Sequence, residues 1–300
     1  MPGAARLAAV ARHLGPTRCS GLSPSTAAAR PQTPSSAPRP APAAETAAEQ
    51  PAAAPSIDAA VEQIQTEGFY VWPGFIGGAR LAQLSEDCDR LLHPIENQPG
   101  LDGEPMSSRM KKQLLPDTRC MDDLFLDPTL HAIVGGVFAG RGFRIGLTQS
   151  MIKDVLRGED IRSMHQDDGI YMWRDGLARP HEQPIVINSL LAVDPFTLQS
   201  GATRVVRRSH LWSEPLAKEL IEQREGDFYE TVQMAPGSIV LFDGGVYHGR
   251  GPNYSAPCRR ALNLYFEAAD APDYYAGLRM KGPPAENARV PHELSRVFES

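Results

Sequence analysis

The rhythm of apolar and polar positions changes twice along this chain. Up to about residue 54 there is none: Ala, Pro, Ser and Arg dominate, and stretches such as SSAPRPAPAA and QPAAAP hold too few large apolar side chains to build a core. From Ser56 the stretch SIDAAVEQIQTEGF spaces its apolar residues at helical intervals behind a Ser N-cap and ends at Gly68, which predicts an amphipathic helix. FYVWPGF then reads as a short strand, and GARLAQLSEDCDRLL and DDLFLDPTLHAIVGGVF as two further helices. Beyond Gly140 the pattern shortens into β-like runs between turn residues: FRIGLTQSMIKDV, IRSMHQD, PIVINSLLAVDP, ATRVV, YETVQM, SIVLFDG and RALNLYFEA. Helices first, then many short strands separated by Pro, Gly and Asp, predict a mainly β body with flanking helices, a sandwich or barrel rather than a βαβ sheet.

This pattern divides the 300 residues into a tail, 1–54, and one domain, 55–300, large enough for a well-buried core. Charge sharpens the division. The first 44 residues carry five Arg and no acid, so the remainder holds 25 basic against 36 acidic residues, a net charge of about −11 that argues against nucleic acid as the partner. Four scattered cysteines, Cys19, Cys88, Cys120 and Cys258, form no CxxC and predict a reducing, intracellular setting without a disulfide framework. The longest apolar run, HAIVGGVFAG, is about half of the roughly 20 residues that a membrane helix needs, so no membrane span is expected. Within the tail, RLAAVARHL places Leu7, Val10 and Leu14 on one helical stripe while Arg6, Arg12 and His13 add positive charge. An acid-free, Arg-rich start of this kind resembles an organelle-targeting segment, and Arg6, Leu7, His13 and Leu14 occupy the specified places of an N-terminal peroxisomal address. A peroxisomal location is the expectation; mitochondrial, plastid and cytoplasmic locations are the alternatives.

Candidate chemistry begins at MHQDDG. On a strand, positions i and i+2 share a face, so His165 and Asp167 point together and Gln166 points away. An HxD pair alone is weak, since a solvated strand end with a His–carboxylate hydrogen bond reads the same. A third ligand has to come from the other histidines. His13 lies in the tail, His93, His131 and His292 in helical or loop sequence, and His181 in a polar Pro-flanked loop; His210 and His248 remain. His248 follows PGSIVLFDGGVY, where a Pro-Gly turn launches an apolar strand and Gly244-Gly245 lets the backbone bend, so its imidazole arrives between small residues. Two histidines and one carboxylate on one face of a metal leave adjacent positions open, as in non-haem Fe(II) oxygenases, although zinc hydrolysis uses similar donors. A carboxylate clamp separates these readings. Arg259, eleven residues after His248 in CRRALNLYF, is placed to hold a dicarboxylate by its guanidinium fork, on a strand expected to return beside the one bearing His248, while Arg260 points the other way.

Taken together, HQD at 165–167, SGATRVVRRSH at 200–210, PGSIVLFDGGVYHGRGPNYS at 236–255 and Arg259 resemble the phytanoyl-CoA dioxygenase family of Fe(II)- and 2-oxoglutarate-dependent oxygenases, over residues from about 56 to 270. The resemblance implies a double-stranded β-helix, a cupin-like jelly-roll barrel with helices packed on one side. It implies that His165, Asp167 and His248 ligate iron, that Arg259 pairs with the distal carboxylate of 2-oxoglutarate, that Gln149 hydrogen-bonds this co-substrate, and that His210 belongs to a lid-and-turn motif. The implied reaction consumes O2, releases succinate and CO2 and hydroxylates a C–H bond, with ascorbate as reductant. Asp167 argues against halogenation, whose enzymes lack the carboxylate. Two departures stand out: Arg207-Arg208 where the family commonly has Pro-Gly, and Arg250 where an oxoglutarate-contacting Ser often sits.

The substrate implied by the family is a fatty acyl-CoA, with Arg204, Arg207, Arg208, Lys111 and Lys112 as receivers of CoA phosphates. A small metabolite or amino-acid-like compound is the alternative, with Tyr171, Met172 and Trp173 shaping its pocket. A barrel that binds a ligand without turnover is the further rival.

Overall fold

A computed structural model describes residues 53–92, 108–112, 118, 126–145, 150–154, 164–168, 184–212, 228–255 and 258–271. The helix expected behind Ser56 is α1, Ile57–Glu67; the Ser56 hydroxyl accepts from Ala59 N at 3.4 Å and Gly68 closes the helix at φ 92°. Glycine is required here twice over, because a side chain would be strained at this φ and its Cβ would run into Val246 and His210. The chain then enters β1, Phe69–Trp72, and α2, Gly78–Leu92. The third helix, α3, is Pro128–Val137; residues 122–125 of the run that predicted it lie outside the described residues. Asp127 accepts from Leu130 N at 2.7 Å as the N-cap, and Pro128 occupies the first turn, where no intrahelical N–H is needed. No helix among the described residues is long and apolar enough to cross a membrane.

The strands that follow are β2 (Ser108–Lys112), β3 (Phe143–Ile145), β4 (Ser150–Asp154), β5 (Val186–Ala192), β6 (Thr203–Val205), β7 (Glu230–Thr231), β8 (Ile239–Asp243), β9 (His248–Arg250) and β10 (Arg259–Ala268). They form two antiparallel sheets. The larger runs β1-β8-β5-β10-β4-β2, with β3 also on β10; the smaller runs β7-β6-β9. Side-chain alternation assigns the faces. Ile187, Leu191, Ile239, Leu241, Leu262, Leu264 and Phe266 pack against Ile64, Leu84, Cys88, Leu130 and Ile133 of the helices. The intervening positions, Phe69, Ala192, Val240, Phe242 and Ala261, meet Val205 of the smaller sheet and Val246 of the bend before β9. The central strands are therefore buried on both sides, by helices outside and by the opposing sheet inside, which is the jelly-roll that the family resemblance implies and one form of the sandwich or barrel expected from the short strands.

Three local expectations are corrected, and one strand is added to those expected. SRMKK has no apolar alternation, yet it is β2, paired with β4 from Ser108↔Asp154 to Lys112↔Ser150; backbone pairing with a neighbour overrides the side-chain pattern. FRIGLTQSMIKDV is two strands, β3 on the Phe266–Ala268 end of β10 and β4 on its Arg259–Asn263 end. IRSMHQD contributes, among its described residues, one bridge at His165, and Asp167 and Asp168 are already in a turn. Last, β10 does not lie beside the strand bearing His248. After the turn at Gly244 the chain crosses to the smaller sheet, where β9 pairs with β6, and it crosses back before β10 pairs with β5.

Candidate metal centre

His165 and His248 are brought side by side by the backbone: they exchange both N–H···O bonds at 2.9 Å as an isolated antiparallel bridge, and their imidazole centroids lie 4.3 Å apart. The turn after His165 is pinned to the larger sheet. Asp168 N donates to Gly244 O at 3.1 Å, the Asp168 carboxylate accepts from Val186 N at 3.0 Å, and Gln166 Nε2 donates to Gly245 O at 2.5 Å. Gly244 has to be glycine, since a Cβ would stand 2.5 Å from Asp168 Oδ1 and 2.9 Å from Val186 Cβ. With its neighbours so held, Asp167 points back between the two imidazoles. Its Oδ1 is 3.7 Å from His165 Nε2 and its Oδ2 is 3.5 Å from His248 Nε2.

One ligand atom from each of these residues lies within 4.8 Å of the other two. A metal with bonds of about 2.1 Å spaces neighbouring donors by about 3 Å, so the cluster closes on an ion with small side-chain shifts. His248 Nδ1 donates to Val246 O at 3.0 Å, which leaves the Nε2 lone pair directed at the cluster, and Phe242 packs 4.5 Å away, centroid to centroid. Asp167 and His248 are buried, whereas the His165 side chain is 50% exposed, so the cluster opens at His165. Two neutral imidazoles and a carboxylate fit a divalent cation that keeps positions free for other ligands.

Sequence reasoning missed the residues that hold Asp167. Asn188 Nδ2 donates to Asp167 Oδ2 at 2.7 Å, and the Tyr265 hydroxyl donates to Oδ1 at 2.8 Å. The signal was an amide inside the apolar run IVINSLL and polar groups inside RALNLYFEA. The two arginines at the head of β10 point apart as expected. Arg259 is buried with its guanidinium carbon 4.2 Å from the Phe196 ring centre, on the inner face. Arg260 forms ion pairs with Asp194 and Asp89 at 2.7 and 2.8 Å, and its hydrogen bonds to Asp194 push its pKa up. Arg250, at i+2 from His248 on β9, is also buried. Gln149 lies outside the described residues, as do Tyr171, Met172 and Trp173.

The other residues singled out have structural tasks. His210 sits in a single 3-10 turn, Ser209–Leu211, with Nε2 2.9 Å from Gln65 O, tying the end of α1 to the smaller sheet. His131 packs its ring against Phe143 and Phe266. Arg208 holds φ 64°, ψ 8°, the left-handed conformation that glycine takes readily, so the turn survives the replacement of Pro-Gly by Arg207-Arg208. Glu67 compensates: it accepts from Arg208 Nε at 3.0 Å and Arg207 Nη1 at 2.9 Å, and these bonds hold its carboxyl down from 4.5 to about 2. Arg207 also pairs with Glu230 at 2.5 Å. Arg204 is buried, donates to Arg250 O at 3.2 Å and stacks 4.6 Å over Tyr229.

Comparison with known proteins agrees with this architecture. The chain is 29% identical over 211 residues to the multifunctional dioxygenase prhA of Penicillium brasilianum, covering 68% of this chain and 70% of that relative. It is 26% identical over 219 residues to the multifunctional dioxygenase ausE of the same organism, covering 70% and 71%. Among solved structures, the non-haem α-ketoglutarate-dependent epimerase SnoN of nogalamycin biosynthesis superposes with a TM-score of 0.57 at 16% identity, over 76% of this chain and 91% of that one. HygX of Streptomyces hygroscopicus, solved with nickel, 2-oxoglutarate and hygromycin B, gives 0.55 at 18% identity, over 71% and 87%. These likenesses carry the fold. The phytanoyl-CoA dioxygenase family model matches residues 64–261, and with the His165, Asp167 and His248 cluster inside that span the chain belongs to the phytanoyl-CoA dioxygenase family of iron- and 2-oxoglutarate-dependent dioxygenases.

Proposed function

We propose that this dioxygenase hydroxylates a C–H bond of a small organic metabolite, with His165, Asp167 and His248 holding Fe(II) and Arg259 clamping the distal carboxylate of 2-oxoglutarate. The carrying observation is the convergence of two imidazoles and a carboxylate between two sheets, with a guanidinium buried on the inner face of the larger one. Fe(II) bound there, with O2 and 2-oxoglutarate, supplies the oxidising chemistry: the co-substrate is split to succinate and CO2, one oxygen atom entering succinate and the other the substrate C–H bond. The chain's own residues bind and aim. Arg259 presents a planar fork from a water-poor wall made by Phe196, which suits a carboxylate at a fixed distance from the cluster. The Val246 carbonyl fixes the tautomer of His248, and Phe242 shields that ring from water. Substrate approaches from the exposed His165 side.

A small metabolite is favoured over an acyl-CoA by the state of three of the five basic residues named for CoA phosphates; the side chains of the other two, Lys111 and Lys112, lie outside the described residues. Arg207 and Arg208 already satisfy Glu67 and Glu230, and Arg204 is stacked under Tyr229 and bonded to a backbone carbonyl. The relatives named as multifunctional dioxygenases and the HygX structure with hygromycin B support the same reading by analogy. The test has two parts. Anaerobic Fe(II) with 2-oxoglutarate should give a weak visible charge-transfer band that His165→Ala and His248→Ala both abolish; no band in the wild type overturns the iron reading. Succinate release should then be stimulated by a member of a small-metabolite panel and by no acyl-CoA. Stimulation by an acyl-CoA alone overturns the substrate assignment.

A further inference from the structure

The Asp167 carboxylate is held at both oxygens by donors from two neighbouring strands. Tyr265 of β10 and Asn188 of β5 are register partners, so their side chains leave the sheet together. The Tyr265 hydroxyl takes Oδ1 at 2.8 Å and Asn188 Nδ2 takes Oδ2 at 2.7 Å. Asn263, two residues before Tyr265 on the same face of β10, donates Nδ2 to Asn188 Oδ1 at 2.7 Å. The direction of this chain is forced: an ionised carboxylate only accepts, so the Asn188 amide turns its nitrogen to Asp167 and its oxygen to Asn263.

We infer that Asn188 and Tyr265 are positioning residues that keep Asp167 a single-oxygen ligand of the metal, with Asn263 orienting the Asn188 amide. This rests on the iron reading above. Two histidines and one carboxylate oxygen leave three positions, two for the chelating co-substrate and one for O2. A carboxylate that rotates to chelate takes one of the three. Rotation about Cβ–Cγ has to break the bond to Tyr265 or to Asn188, and both donors sit on the rigid central strands of the larger sheet, so they cannot follow. Both donors are neutral, so they orient the carboxylate without cancelling the charge that the cation needs.

Tyr265→Phe removes one hydroxyl and keeps the ring, and Asn188→Ala removes the amide; Asn188→Leu, of similar volume, is read in its place where the alanine variant does not fold. Metal affinity, followed anaerobically through the Fe(II)–2-oxoglutarate band, should fall by about tenfold to a hundredfold in each variant. The visible spectrum of the Co(II)-substituted protein should change in position and intensity as a second carboxylate oxygen takes the place of a solvent ligand, and Asn263→Ala should show the same changes to a smaller degree. A purely structural role would lower the melting temperature while leaving the affinity of the folded protein and its Co(II) spectrum at wild-type values, and that result overturns the inference. A wild type that shows the band and variants that match it overturn this inference alone. A wild type without the band overturns the iron reading beneath it.

Discussion

Asp167 and Asp168 are adjacent carboxylates with different tasks, and they separate in experiment. Asp167 faces the two imidazoles, whereas Asp168 is fully buried and accepts from Val186 N at 3.0 Å, anchoring the turn. Asp167→Ala should abolish the Fe(II)–2-oxoglutarate band at temperatures where the protein is folded. Asp168→Ala leaves the ligand set intact but strands a buried N–H, a loss of roughly 1–3 kcal/mol that lowers the melting temperature while the band persists below it. Calorimetry and the band on the same samples check both outcomes. The cluster of His165, Asp167 and His248 was legible in the sequence because HxD and the Gly-flanked His248 are local patterns with a chemical reason. Asn188 and Tyr265 were not, because they stand 21 and 98 residues from Asp167 and look like polar interruptions of apolar strands.

Elements meet at the end of α1, where Glu67 faces the turn before His210. Arg208 offsets its left-handed backbone there with three bonds to Glu67, and Arg207 adds a fourth. Because these bonds depress the Glu67 carboxyl to about 2 from its usual 4.5, their contribution to stability is fully present above pH 4.5 and is lost as pH falls through the interval towards 2. Glu67→Gln should therefore be less stable than wild type at pH 6, and the gap between their melting temperatures should narrow on acidification of the metal-free proteins from pH 5 to pH 2. A gap that stays constant with pH refutes this role. Helix ends were readable here: Ser56 and Gly68 bracket α1 because caps act through hydrogen bonds to residues three and four away. β2 was not readable, because SRMKK has no apolar face and becomes a strand through β4.

Across the molecule, the cluster straddles the two sheets: His248 rises from the smaller one, Asp167 is held by β5 and β10 of the larger one, and His165 is bridged to β9. A metal at this point clips the sheets together, so binding should add to global stability. A redox-inert ion such as Ni(II) at about a hundred times its dissociation constant should stabilise the wild type by about 2.7 kcal/mol, seen as a higher melting temperature, and should leave His248→Ala unmoved. Equal shifts in both proteins would place the ion elsewhere. The chain order of helices, then short strands, already specifies a β body flanked by helices, since a period near 3.6 and a period of 2 each bury one face. The His165, Asp167 and His248 cluster is likewise written in short motifs. What the linear pattern does not carry is which strands become neighbours. The expectation that β10 lies beside the His248 strand fails because β8 and β9 are consecutive in the chain yet sit in opposite sheets, a crossing made at the Gly244 turn by packing against Asp168 and Val186. Non-local pairing also creates the Asn263–Asn188–Asp167–Tyr265 arrangement, and with it the orientation of the carboxylate, because those hydrogen bonds exist only after β5 and β10 have taken their register.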